Sequence, residues 1–376
     1  MFKTPDDVTT ALSHLPAINA EWRSSALARQ EELTKPPGSL GRLEELAVFL
    51  AGWGQTPIPV CEHATCVVFA GNHGVTRQGI SPYPASVTEQ MVANFQSGGA
   101  AINAIAAANS IGLKVVPLSL DKPTDDISET SAMSTAETLE AMSAGADAVE
   151  DGVDILTVGE MGIGNSTVAA ALSAAAFGGP AIDWVGPGTG LTADGVVHKA
   201  KIVDQALARY RAATAASAQV STGPGPSALA MYCELGGREL AAIAGAVIAA
   251  RLKRVPVILD GFISTAAIAP LYRSHPAIID HVVASHVSAE PAHAKLLDMM
   301  HLNPLLDLQL RLGEGTGAAL AVGIVRSAVA AHNQMATFAQ AGVAEAGSDA
   351  ETRTPDQSSE TRHVDQKHHV GPTRVT

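Results

Sequence analysis

The sequence predicts an α/β fold built on a mostly parallel sheet of six strands with flanking helices. Short β-branched runs alternate with longer alanine-rich segments along the middle of the chain, and this alternation is typical of strands joined by crossover helices. Nearly every predicted strand leads directly into a polar, glycine-rich loop. Apolar residues make up 47% of the 376 residues, which is enough for a sizeable buried core.

The N-terminal segment is predicted to form helices. Residues Glu21 to Leu33 are rich in Ala, Glu, Arg and Leu and contain no proline. The run from Lys35 to Gly38 contains two prolines and interrupts this helix. From Leu40 to Leu50, apolar residues recur at helical spacing and predict a second helix.

The middle of the chain is predicted to alternate strands and helices. The six strands cover Thr65–Ala70, Lys114–Leu118, Asp154–Val158, Ile182–Val185, Val255–Leu259 and Ile279–Ala284. The helices between them include Ser86–Phe95, Ser166–Phe177, Val197–Ala216 and Arg238–Arg251. A helical region from Lys295 to Leu312, a glycine-rich turn and a last helix from Ala318 to about Ala331 complete the expected fold.

Composition and charge exclude several classes of protein. The chain has 24 basic and 37 acidic residues, a net charge of −13, so a basic face for nucleic acid or anionic membrane is not expected. Residues 1–20 lack the pattern of a signal peptide, and the charge-free stretches are too short to span a bilayer. Three cysteines without a CxxC pair fit a reducing compartment. We therefore expect a cytoplasmic protein.

The last residues differ from the rest of the chain. From Gly347 onward the only apolar residues are Ala350, Val364, Val370 and Val375. Such a segment cannot bury enough surface to offset its ordering entropy. A disordered polar tail is therefore expected at residues 342–376.

Five polar loops follow the predicted strands and suggest one shared ligand site. They are Ala70–Gly74, Gly159–Thr167, Gly186–Gly190, Asp260–Phe262 and Ser285–Glu290. Any one of them alone could be a simple tight turn. Because parallel strands end at the same edge of a sheet, the five together predict a binding site there.

The loop from Gly159 to Thr167 is typical of an anion site. Its glycines let backbone amides approach a ligand, and the alanine-rich helix that follows adds partial positive charge. The sequence contains no P-loop and no strict GxGxxG motif. A degenerate match at Gly313, Gly315 and Ala318 follows a helical segment rather than a strand, so a dinucleotide site is not supported.

Glu314 is the acid with the clearest functional potential, and two interpretations remain open. It lies between Gly313 and Gly315, just before the last apolar helix. A carboxylate here could simply interact with the helix dipole. It could also be a general base, in which case the dipole lowers its pKa and desolvation raises it.

A metal site is not expected. The closely spaced histidines His281, His286, His293 and His301 match no common zinc pattern, and no cysteine lies near them. No GxSxG elbow is present either.

Six motifs in order along the chain resemble one known family. They are Lys35–Glu44, Gly71–Val75, Gly159–Asn165, Asp260–Phe262, Ser285–Ser288 and Gly313–Gly317. The family is that of the nicotinate-nucleotide–dimethylbenzimidazole phosphoribosyltransferases of cobalamin synthesis. The resemblance extends from about Leu33 to about Ala331 and rests on all six motifs, since each alone is weak.

The resemblance implies a Rossmann-like sheet, a small helical domain made from both chain ends, and a homodimer. The domain boundaries expected on this basis are residues 1–58 and 295–341 for the small domain and 59–294 for the α/β domain. The resemblance also implies an activity, the transfer of phosphoribose from nicotinate mononucleotide to 5,6-dimethylbenzimidazole, without a metal or other cofactor.

The resemblance also implies roles for individual residues. Glu314 would be the general base and Glu160 a second acid of the active site. The other expected substrate-binding residues are Ser81 and Gln90 near the base, and Gly162, Gly188, Lys199, Asp260, Gly261 and Ser288 around the nucleotide.

Two alternatives belong to other functional classes. A nicotinamide-dependent dehydrogenase could use the same kind of sheet, although the missing GxGxxG motif argues against it. A sensor that binds an anionic nucleotide without chemistry is the second. The role of Glu314 distinguishes this sensor from an enzyme.

Overall fold

The protein is organised around a five-stranded parallel sheet. The computed structural model describes residues 1–218 and 227–344, so nearly all of the predicted tail lies outside the described residues. The strands are β1 (Ala64–Ala70), β2 (Gly112–Pro117), β3 (Ile155–Met161), β4 (Val257–Leu259) and β5 (Val282–Ala284). Their order across the sheet is β2-β1-β3-β4-β5, and every neighbouring pair is parallel.

The prediction of a sixth strand at Ile182–Val185 is wrong. This segment begins with a 3₁₀ turn over Ala181–Asp183, which follows Pro180. The backbone N–H of Trp184 donates to the carbonyl of Ala181 at 2.9 Å. The Trp184 indole is fully buried and donates to the Gly178 carbonyl at 2.8 Å. Anchoring of the indole therefore fixes a turn where the local β-branched pattern indicated a strand.

Helices surround the sheet, and most of those predicted are confirmed. They are α1 (Pro5–Ser13), α2 (Ala20–Glu32), α3 (Arg42–Gly54), α4 (Ser86–Ser97), α5 (Ala101–Ala108), α6 (Thr135–Asp147), α7 (Asn165–Phe177), α8 (Ala193–Ala218), α9 (Ala228–Leu235), α10 (Arg238–Leu252), α11 (Phe262–Ser274), α12 (Ala292–Met299), α13 (Thr316–Gln334) and α14 (Phe338–Ala341). The named predictions did not include α1, α5, α6, α9, α11 and α14. Helix α11 contains Pro270 in its interior, which argues against a helix locally.

The predicted helix over Lys295–Leu312 is wrong beyond its first part. Helix α12 ends at Met299. The chain then runs extended beside the segment that follows β5, where the N–H of Val287 donates to the carbonyl of Leu306 at 2.9 Å. Pro304 has no N–H and disfavours helical geometry in the residue before it, so the helix cannot continue.

Both faces of the sheet are covered by apolar layers. In β1, Val67 and Phe69 belong to one core together with residues of α6, α7, α10 and α11. The alternate residues Cys66 and Val68 belong to a second core with α3, α5 and α13. This alternation follows from the period of two in a strand, and burial of both faces is typical of parallel sheets.

The two ends of the chain meet on the second face. Helices α2 and α13 both pack against α3, and the Arg29 guanidinium donates to the carbonyl of His332 at 2.9 Å. An isolated bridge pairs Leu33 with Thr337. The division into a small helical domain and an α/β domain remains a prediction. None of the helices in the described ranges has the length and apolarity needed to cross a membrane.

Helices α6 and α10 approach each other closely through two glycines. A Cβ atom on Gly145 would overlap the carbonyl oxygen of Ala242, and one on Gly245 would overlap the carbonyl oxygen of Met142. Backbone atoms meet backbone atoms here, so no flexible side chain can move aside. Only glycine fits at either position without a shift of a whole helix.

We expect Gly245→Ala to lower the free energy of unfolding by about 2–3 kcal/mol, because overpacking forces the two helices apart. Gly54→Ala in α3 is the matched control, since a Cβ atom there would meet nothing closer than Thr56 Cγ2 at 3.7 Å. Urea denaturation followed by circular dichroism measures both variants. Wild-type stability in Gly245→Ala would contradict the close contact.

Candidate active site

A cavity of about 310 Å³ opens at the carboxyl ends of the strands, where the polar loops come together. Its walls are formed by the loops that follow β3, β4 and β5, by residues 188–189 and 311–313, and by Tyr83. The volume is within the range of ligand pockets, and its position at the strand ends is where open parallel sheets bind ligands. Four of the five predicted loops thus line one cavity. The fifth, Ala70–Gly74, does not line it and packs behind Gly162 through the carbonyl of Gly71.

Two helices point their N-termini toward this cavity. Gly164 precedes α7 with φ 95°, Gly261 precedes α11, and neither helix has a side-chain cap. Ser166 in the first turn of α7 and Ile263 in that of α11 line the cavity. Uncapped N–H groups and the positive ends of two helix dipoles make this region suitable for an anion.

The loop that carries Glu314 is attached to the sheet by the carboxylate of Asp260. Asp260 follows β4 directly and is fully buried. It accepts hydrogen bonds from the backbone N–H groups of Gly315 at 3.0 Å, Gly317 at 2.8 Å and Ala318 at 3.0 Å. These groups begin α13, so Asp260 caps that helix from a distant part of the sequence.

The backbone around Glu314 is left-handed over three consecutive residues. The φ angles are 81° at Gly313, 64° at Glu314 and 85° at Gly315. A glutamate in this conformation is strained by about 1–3 kcal/mol. The loop also rests on β3, because a Cβ atom on Gly159 would lie 2.5 Å from the carbonyl carbon of Glu314. Strain of this kind persists only where the surrounding structure holds it, which is typical of functional sites.

Glu314 is a buried acid whose pKa lies near neutrality. Its exposed fraction is 6%, and no hydrogen bond reaches its carboxylate from any residue in the described ranges. Burial raises the pKa of Glu314 to about 7, and the charge of Asp260 acts in the same direction. Desolvation is therefore the dominant influence, and the carboxylate can accept and release a proton near pH 7.

Glu160 lies next to this loop at the end of β3. A Cβ atom on Gly313 would overlap Oε1 of Glu160, and Oε2 of Glu160 accepts a hydrogen bond from the Asn165 amide. Burial raises the pKa of Glu160 well above its usual range, and the charges of Asp260 and Glu239 add to this. Glu160 is therefore the acid that retains a proton beside Glu314.

The opposite side of the cavity contains a buried lysine. Lys199 of α8 is 1% exposed and donates to Ser166 Oγ at 2.8 Å and to the Gly186 carbonyl at 3.2 Å. Burial lowers the pKa of Lys199 to about 8, and the charge of Glu290 opposes this. Glu290 also accepts the N–H of Gly188 at 3.0 Å. A positive charge thus lies directly behind the loop that contains Gly188.

Five of the predicted site residues line the cavity together. They are Glu160, Gly162, Gly188, Gly261 and Ser288. Glu314 adjoins the lining residue Gly313, and Lys199 lies behind Ser166. Close packing requires glycine at position 162, since a Cβ atom there would lie 2.5 Å from the carbonyl oxygen of Gly71, whereas a Cβ atom on Gly261 would meet nothing closer than 3.5 Å.

Three predicted residues are positioned differently from expectation. Asp260 is directed to the start of α13 and does not line the cavity, so its contacts in the structure are with the backbone of that helix. Ser81 is at the rim, where its hydroxyl lies 3.0 Å from the Thr189 hydroxyl.

Gln90 is exposed and does not line the cavity. Thr88 of the same helix faces inward and accepts the Ile163 N–H at 3.1 Å, and a residue two positions later points about 200° away.

Several cavity residues had no individual role in the sequence analysis. The apolar ones are Tyr83, Met161, Ile163, Phe262, Ile263 and Leu312, and the polar ones include His286, Glu290 and Arg311. His286 and Glu290 were within a recognised loop, so their position after a strand was an available signal. Met161, Ile163 and Phe262 also lay within recognised loops, but an apolar residue beside a glycine motif looks the same whether it lines a cavity or a core. Tyr83, Ile263, Arg311 and Leu312 lay outside those loops and lacked this signal.

Comparison with known proteins gives consistent matches over most of the chain. A family model described as phosphoribosyltransferase matches residues 15–343. The chain is similar to a nicotinate-nucleotide–dimethylbenzimidazole phosphoribosyltransferase of Novosphingobium aromaticivorans, with 53% identity over 335 residues, covering 89% of this chain and 96% of that protein. A protein of the same name from Rhizobium etli is 50% identical over 338 residues, covering 90% and 96% of the two chains. The crystal structure of CobT from Thermus thermophilus matches with a TM-score of 0.79 and 39% identity, covering 87% of this chain and 100% of that one.

We expect Asp260→Asn to lower the free energy of unfolding by about 2 kcal/mol, because the amide cannot accept all three buried N–H groups. Asp154→Asn is the matched control. Asp154 also accepts two backbone N–H groups, those of Glu62 and His63, but it is only half-buried at the other end of the sheet. Chemical denaturation measures both, and a loss no greater in Asp260→Asn than in Asp154→Asn would contradict the proposed capping.

Proposed function

This chain belongs to the nicotinate-nucleotide–dimethylbenzimidazole phosphoribosyltransferase family, and we propose that Glu314 is the general base of its reaction. The enzyme transfers phosphoribose from nicotinate mononucleotide to 5,6-dimethylbenzimidazole and forms α-ribazole 5′-phosphate and nicotinate. The observation that carries the proposal is the buried Glu314 carboxylate, held in a strained loop at the cavity edge with a pKa of about 7.

The 5′-phosphate is assigned to the end of the cavity that contains Lys199. The N-termini of α7 and α11 point there, and the Lys199 ammonium lies behind Ser166 and Gly188. Backbone N–H groups, two helix dipoles and one cation supply the positive potential that a phosphate needs. Ser288 is linked to this end because its hydroxyl accepts the N–H of Glu290, and Gly261 lies beside Ser288. Gly162 lines the cavity on the side of Glu160. All three are proposed to contact the nucleotide.

The benzimidazole is assigned to the other end, beside Glu314. Met161, Phe262 and Leu312 provide apolar surface in the cavity wall, which suits an aromatic base. Ser81 is proposed to contact this base on the strength of the family resemblance alone, since its hydroxyl lies at the rim beside Thr189, the neighbour of Gly188. The proposal for Gln90 has no support from the geometry of one chain, since this side chain is exposed.

The chemical step needs one base and no acid. A benzimidazole nitrogen attacks the anomeric carbon of the ribose, and the bond from that carbon to the pyridine nitrogen breaks on the opposite face, which inverts β to α. The bonding pair returns to the pyridine nitrogen, which was cationic in the nucleotide and leaves neutral. The azole N–H proton passes to Glu314, whose pKa allows it to accept a proton at neutral pH.

Glu160 is proposed to act in its protonated form. A second carboxylate charge beside Glu314 would raise the proton affinity of the base further. With its pKa raised well above the usual range, Glu160 stays neutral and can donate a hydrogen bond to bound substrate while Asn165 holds its other oxygen. Glu160 therefore positions the substrate, and Glu314 takes the proton.

We propose a homodimeric cytoplasmic enzyme in which residues 1–58 and 295–341 form the small helical domain beside residues 59–294. The packing of α2 and α13 on α3 supports the domain division. Light scattering at micromolar concentration measures the oligomeric state. The phosphate and benzimidazole ends of the cavity are assigned within one chain, so they depend neither on the homodimer nor on the domain division.

We expect Glu314→Gln to lower kcat by about 10²–10⁴-fold, because the isosteric amide cannot accept the azole proton. Binding of nicotinate mononucleotide, measured by calorimetry, should change little. Glu140→Gln is the control, since Glu140 is exposed on α6. Chromatographic detection of nicotinate release measures turnover.

Wild-type turnover in Glu314→Gln would remove Glu314 from the role of general base. A wild-type enzyme that binds the nucleotide but releases no nicotinate would favour a sensor.

We expect kcat/KM for nicotinate mononucleotide to rise up to about pH 7 and to fall above about pH 8. The base must be deprotonated, so activity increases as pH passes the Glu314 pKa of about 7. Phosphate binding needs a charged Lys199, whose pKa is about 8. Initial rates across pH give the profile after correction for protonation of the free benzimidazole. An unchanged acid limb in Glu314→Gln would contradict this interpretation.

A further inference from the structure

His286 lies in the cavity wall just after β5 and has no part in the proposed mechanism. The side chain is 2% exposed. Its Nδ1 atom lies 2.8 Å from the Ser285 hydroxyl and 4.0 Å from Oδ1 of Asp260. The ring is therefore fixed from one side by a hydroxyl and a carboxylate, which is more than packing in a core requires.

These contacts determine which ring nitrogen carries the proton. The Ser285 hydroxyl donates its only proton to the backbone carbonyl of Asp260 at 3.0 Å. It must then accept a proton from Nδ1 of His286, and the nearby Asp260 carboxylate favours the same arrangement. Burial lowers the pKa of His286, against the opposing effect of Asp260, so a single proton is held at Nδ1. Nε2 is consequently a hydrogen-bond acceptor.

The acceptor nitrogen has no protein partner. No hydrogen bond to Nε2 is found among residues 1–218 and 227–344, and the ring borders the cavity. A Cβ atom on Gly261 would lie 3.5 Å from Nε2 and 3.7 Å from Cβ of Ser288. The other edge of the ring adjoins Gly317, two residues beyond the Gly315 of the Glu314 loop. His286 therefore lies between the end assigned to phosphate and the end assigned to the azole.

We propose that Nε2 of His286 accepts a hydrogen bond from a ribose hydroxyl of the nucleotide and thereby selects ribonucleotides over deoxyribonucleotides. This proposal rests on the proposed function. The ribose ring extends from C5′, which carries the phosphate, to the reacting anomeric carbon, so it must lie beside His286. The sugar hydroxyls are the donors that this part of the substrate offers. A buried acceptor without a partner is costly, so a site built this way rejects an analogue that lacks the hydroxyl.

The test measures kcat/KM for three phosphoribosyl donors with the wild type and with each histidine variant. The donors are nicotinate mononucleotide and its 2′-deoxy and 3′-deoxy forms. For the wild type we expect kcat/KM to fall by about 10–100-fold for the analogue that lacks the bound hydroxyl. In His286→Asn the side-chain amide can still donate to Ser285, but the acceptor at the Nε2 position is lost. Discrimination should then shrink to about threefold or less, because activity with the ribonucleotide falls toward that with the analogue.

His286→Gln and His281→Asn complete the set. Glutamine returns an oxygen acceptor near the Nε2 position, so we expect part of the discrimination to return. His281 is as deeply buried but bonds to the Val247 carbonyl outside the cavity, so His281→Asn should retain full discrimination at whatever activity remains.

Two results would overturn the proposal. One is a wild type that uses both deoxy analogues as well as the ribonucleotide. The other is His286→Asn losing activity equally with all donors, which would indicate a purely structural role. If His286→Asn does not fold, as judged by circular dichroism, the ratio of kcat/KM for the ribonucleotide to kcat/KM for the deoxy analogue still tests the proposal in the wild type and in His286→Gln. Absence of wild-type turnover with the ribonucleotide would refute the proposed function itself, and this outcome is distinct from a loss of discrimination.

Discussion

Three backbone N–H groups at the start of α13 bind one buried carboxylate, that of Asp260, and the active site depends on this interaction. It joins the end of the interior strand β4 to helix α13 across more than fifty residues of sequence. The Glu314 loop is held between this anchor and the backbone of Gly159. The same carboxylate also faces His286. One buried charge thus orients a base, a helix and a ring nitrogen.

The cavity separates its charges into two ends. Glu160, Asp260 and Glu314 crowd one end, and burial raises the pKa of Glu160 and of Glu314. Helix N-termini and Lys199 provide positive potential at the other end. The proposed site of the 5′-phosphate, at the Lys199 end, therefore has the charge that is complementary to the phosphate. An acidic protein of net charge −13 can therefore bind an anion through local groups, without a basic surface.

The sequence predicted the regular parts of the fold and failed where long-range contacts decide the local conformation. Strand–helix alternation identified five strands and most helices, because burial on a sheet imposes a recognisable pattern. Ile182–Val185 has strand-like residues, yet the anchored indole of Trp184 fixes a turn. Helix α11 begins with bulky residues and contains Pro270, and packing against α7 stabilises it nevertheless. Propensity is a weak prior that tertiary contacts override.

The sequence by itself determined the family, and it predicted a candidate site at the carboxyl edge of the sheet with Glu314 and Glu160 as its acids, because ordered glycine motifs and strand ends are local features. Only the tertiary structure decided what each polar group faces. It directed Asp260 to the start of α13, left Gln90 exposed, and set Lys199 behind Ser166. It also decided that desolvation outweighs the helix dipole at Glu314. Burial and distance are properties of the folded chain, and these quantities control protonation and recognition.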